Sequence, residues 1–152
     1  MSKNSTLCFR PYLSERLNPM RQPSEYVDDR NRDLWNVYKN IIFTAKEINF
    51  NQVISQVATS PAQRFWISPE RASKVINRMI AGDSLSYMKP HRRSMFYELY
   101  NRFLEYKKLP QYANLPTSHI MVYVVEEEAP SFYLTNGTIQ KLLSSIKHDR
   151  NA

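Results

Sequence analysis

The sequence contains an internal repeat with an offset of 67 residues. Residues 65–68 (Phe-Trp-Ile-Ser) align with residues 132–135 (Phe-Tyr-Leu-Thr), and apolar positions on either side of this run align at the same offset. The aligned pairs are Val53 with Ile120, Ile54 with Met121, Val57 with Val124, Ala72 with Ile139, Val75 with Leu142, Ile76 with Leu143 and Met79 with Ile146. Because an aromatic run rarely falls at one fixed distance from two apolar helix patterns by chance, the repeat indicates a tandem duplication.

Each copy predicts the same four elements in the same order. A long helix opens each copy, because apolar residues recur on one helical face and the two faces align at an offset of 62 residues. The aligned positions are Leu34, Tyr38, Ile41 and Ile42 in the first copy and Phe96, Tyr100, Phe103 and Leu104 in the second. A short helix follows, and then the aromatic run, which has the composition of a strand. Ser68 next predicts an N-cap with Pro69 in the first helical position, and Gly82 marks where that last helix ends.

A single strand per copy has no partner within that copy, and this suggests how the two copies combine. We expect residues 65–67 to pair with residues 132–134 in a two-stranded ribbon related by a pseudo-twofold axis. The predicted fold class is therefore mainly α with a short two-stranded β-ribbon (α+β). Since 152 residues is about the length of one domain, we expect residues 30–152 to form one compact domain from two repeats, at about 30–89 and 90–150.

Residues 1–29 predict an extended N-terminal arm rather than a helix, because Pro11, Pro19 and Pro23 interrupt them and no helical period is sustained. The arm is richer in apolar groups than a freely solvated tail, which implies that it lies on the surface of its own domain or of a neighbouring subunit. The candidate contact residues are Leu7, Phe9, Tyr12, Leu13, Leu17, Met20 and Tyr26.

Several classes of chemistry lack their residues in this sequence. Two glycines are too few for a phosphate-binding loop of the GxGxxG or Walker type, which excludes most nucleotide-binding enzymes. The three histidines and the single Cys8 have no partners at the spacing of metal ligands or of a nucleophile and its base. We therefore expect no catalytic residue, no metal, no cofactor and no enzymatic activity. The longest apolar run is too short to cross a membrane, and no signal peptide is recognisable, so we expect a reducing intracellular compartment.

Positive charge is concentrated in the middle of the chain. The protein carries a formal net charge of +7, and residues 64–108 hold ten basic side chains against four acidic ones. This asymmetry predicts an acidic or polyanionic partner, although solvated helix faces would account for the same charges. The candidate residues for binding nucleic acid or an acidic partner are Arg64, Arg71, Lys74, Arg78, Arg92 and Arg93.

Three stretches of the sequence also resemble a known group of proteins. These are Pro-Ala-Gln-Arg-Phe-Trp-Ile-Ser followed by Glu-Arg-Ala (61–72), Met-Lys-Pro-His-Arg-Arg-Ser-Met-Phe-Tyr-Glu-Leu-Tyr (88–100) and Ala-Pro-Ser-Phe-Tyr-Leu-Thr (129–135). From about Arg30 onward, the chain resembles small proteins of unknown activity that are encoded by phages and other mobile elements of gut Bacteroidales. The resemblance implies a genomic context, and with it the cytoplasm of a bacterial host as the location, and it assigns no role to any residue.

Two functions of different classes fit these features. The first is a non-catalytic assembly protein, such as a connector or tail-ring subunit of a phage virion. Its arm would bind neighbouring protein subunits in a homo- or hetero-oligomer. The alternative is a basic DNA-binding regulatory protein whose cations contact the phosphate backbone. The sequence places assembly first by a small margin, because basic helix faces are common whereas an apolar arm needs a surface to cover it.

Overall fold

The computed structural model describes residues 23–151, without the side chains of residues 23, 24, 150 and 151. Six α-helices make up the regular structure of this range. They are α1 (Pro23–Thr44), α2 (Phe50–Thr59), α3 (Pro69–Ile80), α4 (Pro90–Lys107), α5 (Thr117–Val124) and α6 (Asn136–Asn151). No helix in this range is long and apolar enough to cross a membrane.

The two helices that follow the aromatic runs begin in the same way. The Ser68 hydroxyl accepts a hydrogen bond from the N–H of Arg71 at 3.2 Å, and Pro69 occupies the start of α3. At the repeat-equivalent position, the Thr135 hydroxyl accepts from the N–H of Thr138, also at 3.2 Å, and α6 follows. The predicted N-cap at Ser68 is confirmed, and the hydroxyl shared by the two copies is the cap of the following helix.

The described chain groups into two compact units, each built from three helices. Unit A comprises residues 23–66 and 128–151 and contains α1, α2 and α6, which pack on one another. Its buried apolar side chains include Leu34, Tyr38, Val53, Ile54, Val57, Ile139 and Leu143. Unit B comprises residues 67–127 and contains α3, α4 and α5, which also pack on one another. Its buried apolar side chains include Ala72, Val75, Ile76, Phe96, Leu99, Phe103, Ile120, Met121 and Val124.

The membership of the units does not follow the order of the repeats. In unit A, the long and short helices of the first copy (α1 and α2) pack with the last helix of the second copy (α6). In unit B, the long and short helices of the second copy (α4 and α5) pack with the last helix of the first (α3). Each unit therefore has the same helical composition, with its third helix contributed by the other repeat. The single compact domain expected for residues 30–152 stays a prediction.

The predicted β-ribbon is wrong, because residues 65–67 and 132–134 form no strands and the described residues contain no sheet. Side chains, rather than a strand ladder, hold the first run. Asp33 accepts hydrogen bonds from the Gln63 N–H and from the Trp66 indole N–H, both at 2.9 Å, and the Nε of Arg64 donates to the Phe65 carbonyl. In the second run the φ of Tyr133 is +56°, which is incompatible with a strand.

One antiparallel bridge remains between the two copies, three residues before each aromatic run. The N–H of Ala62 donates to the carbonyl of Ala129 at 3.0 Å, and the N–H of Ala129 donates back at the same distance. These two alanines align at the 67-residue offset, so the two aligned segments do meet, but at one residue pair only. The start of the helical region also differs from expectation, since α1 begins at Pro23 and residues 23–29 form its first turns instead of the end of an arm.

Candidate functional site

Unit B contains an open groove of about 930 Å³ between α3, the start of α4 and the turn that joins them. We call it the basic groove. Its lining consists of Ser68, Glu70, Arg71, Lys74, Val75, Asn77, Arg78, Tyr87, Met88 and Arg92. Four of these side chains are cations and one is a carboxylate, so the groove is an electropositive concavity that favours an anionic ligand.

Helix α3 directs three of the cations into solvent because its opposite face is buried. Ala72, Val75 and Ile76 face the core of unit B, whereas Arg71, Lys74 and Arg78 lie at the intervening helical positions and are exposed. None of these three cations forms an ion pair with a residue in the range 23–151. Their charges are therefore available to a partner.

Arg92, from the first turn of α4, completes the groove and is the most constrained of the four cations. Its guanidinium lies over the ring of Phe96, 5.2 Å from the ring centre. Burial lowers the pKa of Arg92, and the nearby positive charge of Arg71 lowers it further. An arginine stays charged despite such a shift, so two guanidinium groups from different helices that line the groove repel each other. An anion between them would relieve this repulsion.

The turn between α3 and α4 sets the outer wall of the groove. Gly82 has a φ of +105°, which suits glycine, and Leu85 is fully buried although its φ is +59°. Asp83 accepts a hydrogen bond from the Leu85 N–H and another from the Tyr87 hydroxyl, both at 2.9 Å. Both bonds lower the pKa of Asp83, and the bond from the Leu85 N–H has the larger effect. The hydrogen bond to Asp83 in turn raises the pKa of Tyr87.

The structure thus brings together four of the six predicted cations: Arg71, Lys74, Arg78 and Arg92. Arg93 is half-buried on α4 and does not line the groove. Arg64 belongs to unit A and is only 5% exposed. Its guanidinium lies over the rings of Tyr26 and Trp66, 4.9 and 5.3 Å from their centres, so Arg64 packs inside unit A instead of contributing to the groove.

The predicted contact residues of the arm cannot be placed in the same way. Tyr26 is buried on α1 of unit A, against Arg64. The others lie outside the described residues: Leu7, Phe9, Tyr12, Leu13, Leu17 and Met20. The expectation of a partner-binding arm therefore stays a prediction.

Comparisons of the chain with protein-family models, with curated proteins and with solved structures found no match. Within residues 23–151, no three His, Cys, Asp or Glu side chains cluster in a way that could hold a metal ion.

Six groove residues were not among the predicted binding residues, and two of them, Tyr87 and Met88, belong to the turn between α3 and α4. Tyr87 is 64% exposed at the groove wall, and Met88 lies beside it. The signal available in the sequence was the position of Tyr87 in a short linker between two basic helices, where no apolar stripe demands its burial. Tyr97, on α4, is also exposed and donates its hydroxyl to the Ser84 carbonyl at 2.8 Å, but it does not line the groove.

Proposed function

We propose that this protein binds nucleic acid through the phosphate backbone, at the basic groove of unit B. The observation that carries the proposal is the convergence of four cations from two helices on one concave surface, without ion-pair partners in the described range. Phosphate contacts of this kind fix a nucleic acid in place without reading its sequence. The geometry therefore favours the DNA-binding alternative over the assembly role that the sequence placed first.

The number of cations sets the expected salt dependence. Each phosphate that a cation neutralises releases condensed counterions, so the logarithm of the binding constant falls with the logarithm of salt concentration by about 0.7–0.9 per contact. Four contacts predict a slope of about −3 to −4. A much shallower slope would mean that the groove cations do not meet phosphates.

Charge-neutral variants test whether the groove itself is the binding surface. Replacing Arg71, Lys74 and Arg78 with glutamine removes three charges from the exposed face of α3 and should reduce the salt slope to about −1. The matched control replaces Lys39, Lys46 and Lys141 with glutamine. These three are exposed residues of unit A, and their replacement changes the net charge by the same amount. Fluorescence anisotropy with a labelled oligonucleotide measures the binding constants of both triple variants over a range of salt concentrations. Equal loss of binding in the two triple variants would contradict the proposal, since only net charge would then matter.

A second candidate function is assembly, in which this chain binds another copy of itself, and one observation favours it. Phe43, at the end of α1, is 92% exposed, and Ile48 and Phe50 are exposed within the next few residues. Large apolar side chains that are exposed within one short segment are typical of contact sites. The role as a phage virion component stays a prediction.

Light scattering on the full-length chain tests the assembly candidate. A concentration-dependent oligomer that Phe43→Ser dissociates would support it, provided that Ile80→Ser, at an exposed position of α3, leaves the oligomer intact. A monomer at all concentrations would contradict it.

A further inference from the structure

We propose that the ligand of the basic groove is single-stranded nucleic acid and that one of its bases stacks on the ring of Tyr87. This inference rests on the proposed function and names the form of nucleic acid that the groove takes. It depends on a residue that carries no charge, and phosphate binding alone would give that residue no role.

Tyr87 presents an aromatic ring to solvent in a fixed position. The side chain is 64% exposed and lines the same groove as the four cations. Its hydroxyl donates to the Asp83 carboxylate at 2.9 Å, and Asp83 also accepts from the N–H of Leu85, which is fully buried. The ring is therefore tied at its far end to a turn that is anchored in the core of unit B. A ring held in this way loses little conformational freedom when a base stacks on it.

The electrostatics around Tyr87 suit a nucleotide whose phosphates and base are bound on different surfaces. Arg71, Lys74 and Arg92 belong to the helices that flank the groove, whereas Tyr87 belongs to the turn between them. Asp83, whose carboxylate accepts from the Tyr87 hydroxyl, also accepts from the Leu85 N–H and is near the positive charge of Arg78. Phosphates can therefore follow the cations while a base contacts the ring.

The exposed ring beside the cations distinguishes a single strand from a duplex. Phosphate contacts alone would accept either form, because they do not read the bases. The bases of a duplex are paired and stacked on each other, so none can stack on a protein ring without being extruded. Bases of a single strand are free, and stacking on aromatic side chains beside a positively charged groove is how many proteins bind single strands without sequence preference.

The test compares three labelled ligands on the full-length protein by fluorescence anisotropy. They are a short oligodeoxythymidylate, which is unstructured, a mixed-sequence duplex of equal length, and an abasic phosphodiester strand of equal length. We expect the oligodeoxythymidylate to bind more tightly than the duplex and the abasic strand at the same salt concentration, because it alone offers both phosphates and free bases.

Variants at Tyr87 isolate the stacking contact. Tyr87→Leu keeps an apolar side chain but removes the aromatic face, and it should weaken oligodeoxythymidylate binding about 5- to 150-fold, the range that loss of one stacked base produces. The salt slope should not change, because no charge is removed. Tyr87→Phe should keep most of the affinity, and the abasic strand should bind Tyr87→Leu and wild type alike. Tyr97→Leu is the matched control, since Tyr97 is also an exposed tyrosine with a bonded hydroxyl but lies outside the groove.

The outcomes separate this inference from the proposed function. If the duplex binds more tightly than the single strand, or if Tyr87→Leu binds oligodeoxythymidylate as wild type does, stacking on Tyr87 is overturned while salt-dependent binding at the groove still stands. If none of the three ligands binds with a steep salt dependence, both proposals are overturned. Tighter binding of the single strand, lost in Tyr87→Leu and retained in Tyr97→Leu, supports both.

Discussion

Replacing Asp33 with alanine is expected to lower the free energy of unfolding by about 2–4 kcal/mol. The Asp33 side chain is only 4% exposed, and its carboxylate accepts hydrogen bonds from the Gln63 N–H and the Trp66 indole N–H, both at 2.9 Å. A hydrogen bond to a charged group contributes about 1.5–3 kcal/mol, so two bonds contribute about 3–6 kcal/mol. Burial of the carboxylate opposes this gain and outweighs the two bonds in setting the pKa of Asp33, which is raised. The expected loss is therefore that of leaving the Gln63 N–H and the Trp66 indole N–H without their acceptor, about 1–3 kcal/mol for each donor. Both bonds are only part-buried, which places the total toward the lower end of the sum.

Urea-induced unfolding, followed by tryptophan fluorescence and by circular dichroism, measures the effect. Asp28→Ala is the matched control because Asp28 is an exposed aspartate of the same helix, and its removal should change stability by less than about 0.5 kcal/mol. The slope of the free energy of unfolding against urea concentration should be equal in the wild type and the two variants, which would show that all three expose a similar surface area on unfolding. If Asp33→Ala were as stable as Asp28→Ala, the two bonds would not hold the aromatic run, and our explanation for the missing strand would fail.

Further predictions concern pH, helix capping and a buried ion pair. Burial raises the pKa of Asp33, so the folded state binds a proton at this carboxyl more readily than the unfolded state does. The wild type should therefore lose stability relative to Asp33→Asn as pH rises from about 4 toward neutrality. Urea titrations at several pH values measure this difference. Ser68→Ala removes the N-cap of α3 and should cost about 1 kcal/mol, which a shift of the urea midpoint would report. Glu127 is buried, and its carboxylate accepts a hydrogen bond from the Nη1 of Arg102 at 3.0 Å. Glu127→Gln should lower the free energy of unfolding by about 2–4 kcal/mol. This is less than the roughly 3–5 kcal/mol typical of a broken buried ion pair, because Arg102 keeps its ion pair with Glu98. As a control, Glu105→Gln breaks only the exposed ion pair with Lys108 and should change the free energy of unfolding by less than about 0.5 kcal/mol. Equal losses in Glu127→Gln and Glu105→Gln would contradict the idea that burial makes the Glu127 pair the stronger one.

The candidate site was predictable from the sequence where its residues share one helix. Arg71, Lys74 and Arg78 are exposed because the alternate positions of α3 are apolar, and that pattern can be read directly. The sequence placed Arg64 with them because it lies only a few residues earlier. Its burial depends on Tyr26, which is far away in the chain and contributes the ring beneath the guanidinium.

The aromatic run shows why composition misled the prediction of a strand. Residues 65–67 are aromatic and β-branched, which favours a strand when a neighbouring strand can complete the hydrogen bonds. Here Asp33 satisfies the N–H of Gln63 and the indole N–H of Trp66 instead, from a position 30 and 33 residues earlier, respectively. No local pattern records such a contact, so the alternative could not be read from the sequence.

The sequence by itself determined where α3 and α6 begin and which face of α3 is buried. Caps such as Ser68 and Thr135 act on backbone groups within three residues, and an apolar stripe requires only that some surface cover it. Only the tertiary structure decided which helices share a core. Since the repeats carry equivalent stripes, α3 could pack on the helices of its own copy or on those of the other, and the apolar pattern is the same in both arrangements. The observed exchange, α3 with α4 and α5 and α6 with α1 and α2, places the cations of α3 beside Arg92 and so creates the basic groove from two repeats.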